Sequence, residues 1–202
     1  MSIEAVIFDI GNVLLKFDYY IAANRLVAKN KLAALPEREL VVAAKQRLEG
    51  GEIDRAEFLR QVRPHFSDVG TDAEFLRIWE DIFEENIPMT DLARQLALSM
   101  PTYLLSNISC IHRDYIFINY PVFHTFKDGV YSYEAGALKP QPEIYQTAIR
   151  QFGIRPEETV FIDDIPENIV AAAALGFHAI PYDFRDHAAA ETALRALGVE
   201  WQ

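Results

Sequence analysis

The chain has a single cysteine, Cys110, among 202 residues. A lone thiol excludes a disulfide framework and a paired-thiol metal site, and it fits a reducing compartment such as the cytoplasm. No base accompanies Cys110 in sequence, so it is expected to be structural. Basic residues are scarce as well: 19 Lys and Arg stand against 30 Asp and Glu, a formal net charge of −11. Proteins that bind nucleic acid displace counterions with a basic face, so a nucleic-acid partner is not expected. Long apolar runs are missing. The first one stops at Asp9 with no basic segment before it, which argues against both a signal peptide and a membrane span. A soluble, unprocessed protein without membrane attachment is expected. The five histidines lack metal-ligand spacing, and there is no internal repeat or low-complexity tract.

What is present is apolar sequence in short buried-type runs. Half of the residues are apolar, enough for one full core and a small accessory domain. Strand-like runs at Ile3 to Phe8, Thr102 to Leu105, Thr159 to Ile162 and His178 to Tyr182 alternate with helical periodicity. This predicts an α/β fold, a doubly wound parallel sheet covered on both faces. The first two strands are separated by about 85 residues, far more than one crossover helix needs. That interval is helical in pattern over Tyr19 to Lys29, Glu37 to Leu48, Asp54 to Val62 and Asp72 to Glu84, with Asp54 and Asp72 as expected N-caps. A four-helix cap over 17–87 is therefore expected on a core formed by 1–16 and 88–202. In the core, helices are expected at Thr90 to Met100, Pro142 to Phe152, Pro166 to Leu175 and Asp186 to Leu197. Asp128-Gly129 between Phe123 to Phe126 and Val130 to Tyr133 predicts a short hairpin or strand pair. The aromatic cluster Tyr115, Phe117, Tyr120, Phe123 and Phe126 is expected in the core.

Four segments carry chemistry. Asp9 closes the first strand and is followed by a turn at Gly11-Asn12; a carboxylate at the carboxyl end of a parallel strand is a functional position. Ser106-Asn107 ends the second strand, Lys139-Pro140 precedes a helix, and Asp163-Asp164 ends a late strand. A carboxylate can attack phosphorus to give an acyl phosphate, provided that a cation screens the incoming dianion. Asp9, Asp163, Asp164 and the Gly11 carbonyl are oxygen donors of the kind Mg²⁺ takes. Gly11 and Asn12 permit a turn whose backbone N–H groups face an anion. Ser106 and Asn107 can donate to phosphate oxygens, and Lys139 supplies fixed positive charge. Each feature has a plainer reading too: Asp163-Asp164 as a helix N-terminal pair, Ser106-Asn107 as strand-end capping, Lys139 as a surface lysine, Gly50-Gly51 as a helix terminator, Glu49 and Glu52 as solvated charges. Asn168 orients a loop near the metal or faces solvent.

Taken in order along the chain, the four segments resemble the four motifs of the haloacid dehalogenase superfamily, phosphatase branch. The Asp-x-Gly-Asn-Val signature and Gly51-Glu52-Ile53 are similar to a subgroup, the bacterial α-glucose-1-phosphate phosphatases. The resemblance implies a Rossmann-like core with a helical cap and Asp9 as nucleophile and metal ligand. It further implies Gly11 as a carbonyl ligand, Ser106, Asn107 and Lys139 as phosphate binders, and Asp163 with Asp164 as metal-side acids, Asp164 the direct one. The expected activity is Mg²⁺-dependent hydrolysis of a small phosphorylated metabolite, a sugar phosphate among the candidates, through an aspartyl-phosphate, by a monomer or homodimer. One departure stands out: such phosphatases usually carry a second Asp where this chain has Gly11. General acid–base catalysis is worth about 10²- to 10⁴-fold. Three explanations are open: a good leaving group, another carboxylate such as Asp18, Glu49 or Glu52, or slow or absent turnover. The rival readings are a metal-free 2-haloacid dehalogenase and a catalytically weak phosphate-binding regulatory protein. A receiver domain has the reverse motif order.

Overall fold

Ala5-Val-Ile-Phe8 has no polar side chain, and such a run is stable as a strand only when both sheet faces are covered. In the computed structural model, which describes residues 2–26, 38–66 and 69–201, it forms β1 (Ala5–Phe8), buried throughout. An insert follows, built from β2 (Leu15–Phe17), α1 (Tyr19–Leu26), α2 (Arg38–Glu49), α3 (Arg55–Val62), α4 (Asp72–Glu80) and β3 (Phe83–Glu85). The chain then runs through α5 (Ile87–Leu96), β4 (Thr102–Ser106), α6 (Cys110–Asn119), β5 (Asp128–Tyr131), the short α7 (Ser132–Ala135) and α8 (Pro142–Phe152). It finishes with β6 (Thr159–Asp163), α9 (Pro166–Ala174), β7 (His178–Pro181) and α10 (His187–Ala196).

The five long strands form one parallel sheet in the order β5-β4-β1-β6-β7, with β1 at its centre. Side chains alternate across it, so the two faces build separate cores. Val6 and Phe8 pack with Leu92 and Leu96 of α5 on one face, while Ile7 packs with Ile144 and Tyr145 of α8 on the other. A third apolar cluster belongs to the insert: Leu48, Phe58, Phe75 and Trp79 pack together, with Ile111 of α6 as the core's contribution. The register pairs Phe8 with Leu104 and with Ile162. One residue further on, Asp9 therefore emerges at the carboxyl edge beside the ends of β4 and β6. Among the described residues no helix is long and apolar enough to cross a membrane.

The structure corrects several local expectations. The helix read over Asp72 to Glu84 ends at Glu80, and Phe83–Glu85 instead pairs antiparallel with β2. Its N-cap is Thr71, in a capping box with Glu74, so Asp72 is the first helical residue rather than the cap. Asp54 does cap α3, accepting from the Glu57 N–H at 2.8 Å. No hairpin forms at Asp128-Gly129: β5 joins β4 in parallel, and Pro121–Thr125 is a 3₁₀ turn that buries Val122 and Phe123. The helix read to Met100 stops at Leu96. The end of the first insert helix, Val27 to Lys29, and Glu37 lie outside the described residues.

Candidate active site

Asp9 is buried at 6% exposure and receives its backbone bond from β6, Asp9 N–H to Ile162 O at 2.9 Å. Lys139 reaches in from the loop before α8, immediately before a cis peptide to Pro140, and is equally buried. Its ammonium donates to Asp163 Oδ2 at 2.6 Å and to the Leu105 carbonyl at 2.9 Å. It also lies 2.8 Å from Asp9 Oδ1, but outside hydrogen-bonding alignment, so that buried oxygen has no aligned donor among the described residues. Burial opposes the charge of Lys139, yet Asp9 and Asp163 more than offset it and raise its pKa. Burial pushes Asp9 up to about 6; Lys139 and the Ser106 hydroxyl pull it down, and Asp163 adds to the rise. Asp164 is raised too, chiefly by burial.

Asp163 is saturated. Its Oδ1 accepts from the Ile165 N–H at 2.9 Å and from Asn168 Nδ2 at 2.9 Å, and Oδ2 takes Lys139 and a second approach of Asn168 at 3.1 Å. Asp164 has one side-chain partner in the site, Asn12, whose amide donates to Oδ2 at 3.0 Å. Asn12 sits at φ 53°, the left-handed turn geometry its short amide tolerates. Carboxylate oxygens of Asp9, Asp163 and Asp164 lie within 4.8 Å of one another. Three acids thus gather where one ammonium, that of Lys139, lies against Asp9 and Asp163. The donor set is hard oxygen, one oxygen is orphaned, and the local charge is short of positive: this fits a divalent cation of the Mg²⁺ kind.

The expected phosphate binders divide. Ser106, buried at the end of β4, faces Asp9. Asn107 does something else as well: its Oδ1 accepts the Lys139 N–H at 2.8 Å and its Nδ2 donates to the Lys139 carbonyl at 2.9 Å. This reciprocal pair fixes the Lys139 backbone and leaves one amide N–H for a ligand. Gly11 opens the turn closed by Asn12 N–H to Leu15 O at 2.7 Å. A Cβ at position 11 would stand 2.8 Å from the Phe17 ring, which is held by Tyr19 and Phe83. The half-exposed Phe17 ring thus takes the place next to the backbone where any side chain at position 11 would begin.

Of the substitute carboxylates, Asp18 is exposed and is engaged at the start of α1, accepting the Tyr20 N–H at 2.7 Å. Glu49 and Glu52 line a cleft of about 450 Å³ together with Asn107 and Lys139. Glu52 pairs with Arg47 at 3.3 Å, and Arg47 lines the same cleft. Sequence reasoning undervalued Asn168, which is buried at 1% exposure and clamps Asp163. It missed Phe17 altogether. Only the length of the β2–β3 insert edge bears on Phe17, and no local motif marks it. Cys110 is half-buried with its thiol pushed up by burial, and the five aromatics read as core pack against the main cluster.

Residues 3–176 match the haloacid dehalogenase-like hydrolase family. The chain is a haloacid dehalogenase-like hydrolase. Among its relatives is a D-ribitol-5-phosphate phosphatase of Bacteroides thetaiotaomicron, 28% identical over 87% of this hydrolase and 89% of the relative. A sesquiterpene phosphatase of Aspergillus oryzae is 25% identical over 87% of each chain. A solved haloacid dehalogenase family enzyme of B. thetaiotaomicron, in complex with magnesium and inorganic phosphate, superposes with a TM-score of 0.78 at 27% identity, covering 89% of this hydrolase and 94% of that chain. The Rossmann-like parallel sheet of the hydrolase is the fold of these enzymes.

Proposed function

We propose that the hydrolase is a Mg²⁺-dependent phosphatase of small phosphorylated metabolites that works through an aspartyl-phosphate on Asp9, under a cap formed by residues 17–87. The observation that carries this reading is the acidic trio of Asp9, Asp163 and Asp164, of which the buried Asp9 and Asp163 both lie against the ammonium of Lys139. Asp9, Asp164 and the Gly11 carbonyl would hold the cation; Asp163, saturated by Lys139, Asn168 and Ile165, orients the set. When bound, Mg²⁺ screens the phosphate dianion from Asp9 and aligns the two. Ser106, Lys139, the free Asn107 N–H and the Gly11-Asn12 turn bind the phosphoryl oxygens. Asp9 oxygen attacks phosphorus as the bond to the leaving oxygen breaks, and water then cleaves the acyl phosphate to release inorganic phosphate and restore the carboxylate. With Phe17 where an acid would stand, the leaving group departs with little help from the protein. This favours substrates such as anomeric sugar phosphates.

The names of the relatives support phosphoryl rather than haloacid chemistry, and the magnesium in a structural neighbour supports the choice of cation. The test is phosphate release across a panel of phosphorylated metabolites, with Mg²⁺ or with a chelator, using Asp9→Asn as control. The expected result is Mg²⁺-dependent release that falls by about 10³-fold or more in a folded Asp9→Asn protein, as for loss of a covalent nucleophile. Release that survives the chelator or the substitution overturns the reading. Halide release from 2-haloacids without metal would establish the dehalogenase instead.

A further inference from the structure

The cleft that reaches Lys139 is bordered on the cap side by Glu49, the last residue of α2. A carboxylate at a helix C-terminus meets the negative end of the helix dipole. Its helical partner is Lys45, four residues earlier, and Lys-before-Glu is the weaker order for such a pair. Neither feature helps the helix. Glu49 is nonetheless braced on every side: the Tyr19 hydroxyl donates to Oε1 at 3.1 Å, Lys45 donates to Oε2 at 2.9 Å, and the Lys45 ammonium lies 4.4 Å above the Tyr19 ring. The Ser132 hydroxyl of the core donates to the Glu49 carbonyl at 2.6 Å. Side-chain exposure is only 13% for Glu49 and 24% for Lys45. Burial and the neighbouring Glu49 raise the Tyr19 pKa well above its usual value, so its hydroxyl stays a donor.

A carboxylate has about four lone-pair directions, and two are taken here. The other two are left on a group held in one orientation beside the phosphate-binding lysine. Two hydroxyls on neighbouring carbons match that arrangement as paired donors. We propose that Glu49, fixed by Lys45 and Tyr19, is a specificity residue that accepts hydrogen bonds from vicinal hydroxyls of the substrate, so that the substrate class is a phosphorylated polyol or sugar. The assignment rests on the phosphatase reading of the site. Apolar phosphates would strip water from Glu49 without replacing its donors and are therefore disfavoured.

The experiment compares kcat/KM for vicinal-diol phosphates (glucose 1-phosphate, ribitol 5-phosphate) with that for p-nitrophenyl phosphate and farnesyl monophosphate, in the Mg²⁺-loaded protein. The wild type is expected to prefer a diol phosphate. Glu49→Ala is expected to lower the diol-to-aryl ratio by about tenfold or more through KM, with Glu49→Gln intermediate. Tyr19→Phe, which deletes one hydroxyl and leaves the ring packing, is expected to lower the same ratio by about threefold. A ratio unchanged in Glu49→Ala, an equal loss on both substrates, or a wild-type preference for farnesyl monophosphate overturns the assignment. Absence of phosphate release from every one of these compounds by the wild type marks failure of the phosphatase reading itself.

Discussion

Position 11 shows how one residue choice propagates. The Phe17 ring stands 2.8 Å from the place where a Cβ would be, and it is wedged by Tyr19 at 5.5 Å and Phe83 at 6.4 Å between ring centroids. Glycine at 11 and phenylalanine at 17 are therefore a matched pair. Gly11→Ala should destabilise the protein by about 1–3 kcal/mol, the usual cost of overpacking. In a Phe17→Ala background the same substitution should cost clearly less, with a coupling of about 1 kcal/mol or more by urea unfolding of the four proteins. Additive losses would show that the ring yields freely. Asn168 and Asn107 act at the same scale, one clamping the Asp163 carboxylate and the other fixing the Lys139 backbone. Both asparagines are amides spent on a neighbour's geometry; the bond of Asn107 to the Lys139 backbone spans 32 residues and carries no local sequence signal.

At the level of elements, the carboxyl end of α2 is where the insert rests on the sheet domain. Gly51 has φ 73°, and a Cβ there would collide with the Tyr133 carbonyl oxygen. Gly51→Ala combines left-handed strain with a backbone clash, so a loss of about 2 kcal/mol or more is expected, against about 1 kcal/mol for the same change at Gly136, where the added methyl meets open space and only the φ strain applies. Comparable melting curves for the two variants would contradict that docking role. The elements best read from sequence were those that bury two faces or carry caps: β1, β4, β6, α8 and the Asp54-capped α3. The others depend on distant pairing. Phe83–Glu85 continues a helical pattern locally, yet its ladder with Leu15–Phe17 supplies partners that no window around it contains. Asp128-Gly129 carries a strong turn signal, but β4 offers a parallel edge, and Pro121–Thr125 cannot serve as the second hairpin arm while it buries Val122 and Phe123.

For the molecule as a whole, two buried titrations oppose each other. Burial drives His112 from 6.5 down to about 4, with Lys45 adding to the fall, while its ring bonds Ser109 and the Trp79 carbonyl where core meets insert. Because the unfolded histidine takes a proton first, stability is full above pH 6.5 and falls by about 3 kcal/mol as the pH drops to 4. Asp9 works the other way: its folded pKa of about 6 exceeds the ordinary 3.8, so metal-free protein gains about 3 kcal/mol as the pH falls through that window. The two nearly cancel in the wild type without metal. Asp9→Asn removes the gain, so its stability should fall more steeply between pH 6.5 and 4, measured by urea unfolding with chelator present; a profile parallel to that of the wild type would contradict the raised pKa of Asp9.

The proposed chemistry depends on Asp9 accepting a phosphoryl group inside a protein whose net charge is −11. The most direct test is rapid acid quench of the Mg²⁺-loaded protein during turnover, followed by peptide mapping by mass spectrometry. The account requires a phosphorylated, hydroxylamine-labile peptide containing Asp9, absent from Asp9→Asn. Phosphate release with the label on another residue, or undiminished release by Asp9→Asn, would contradict it.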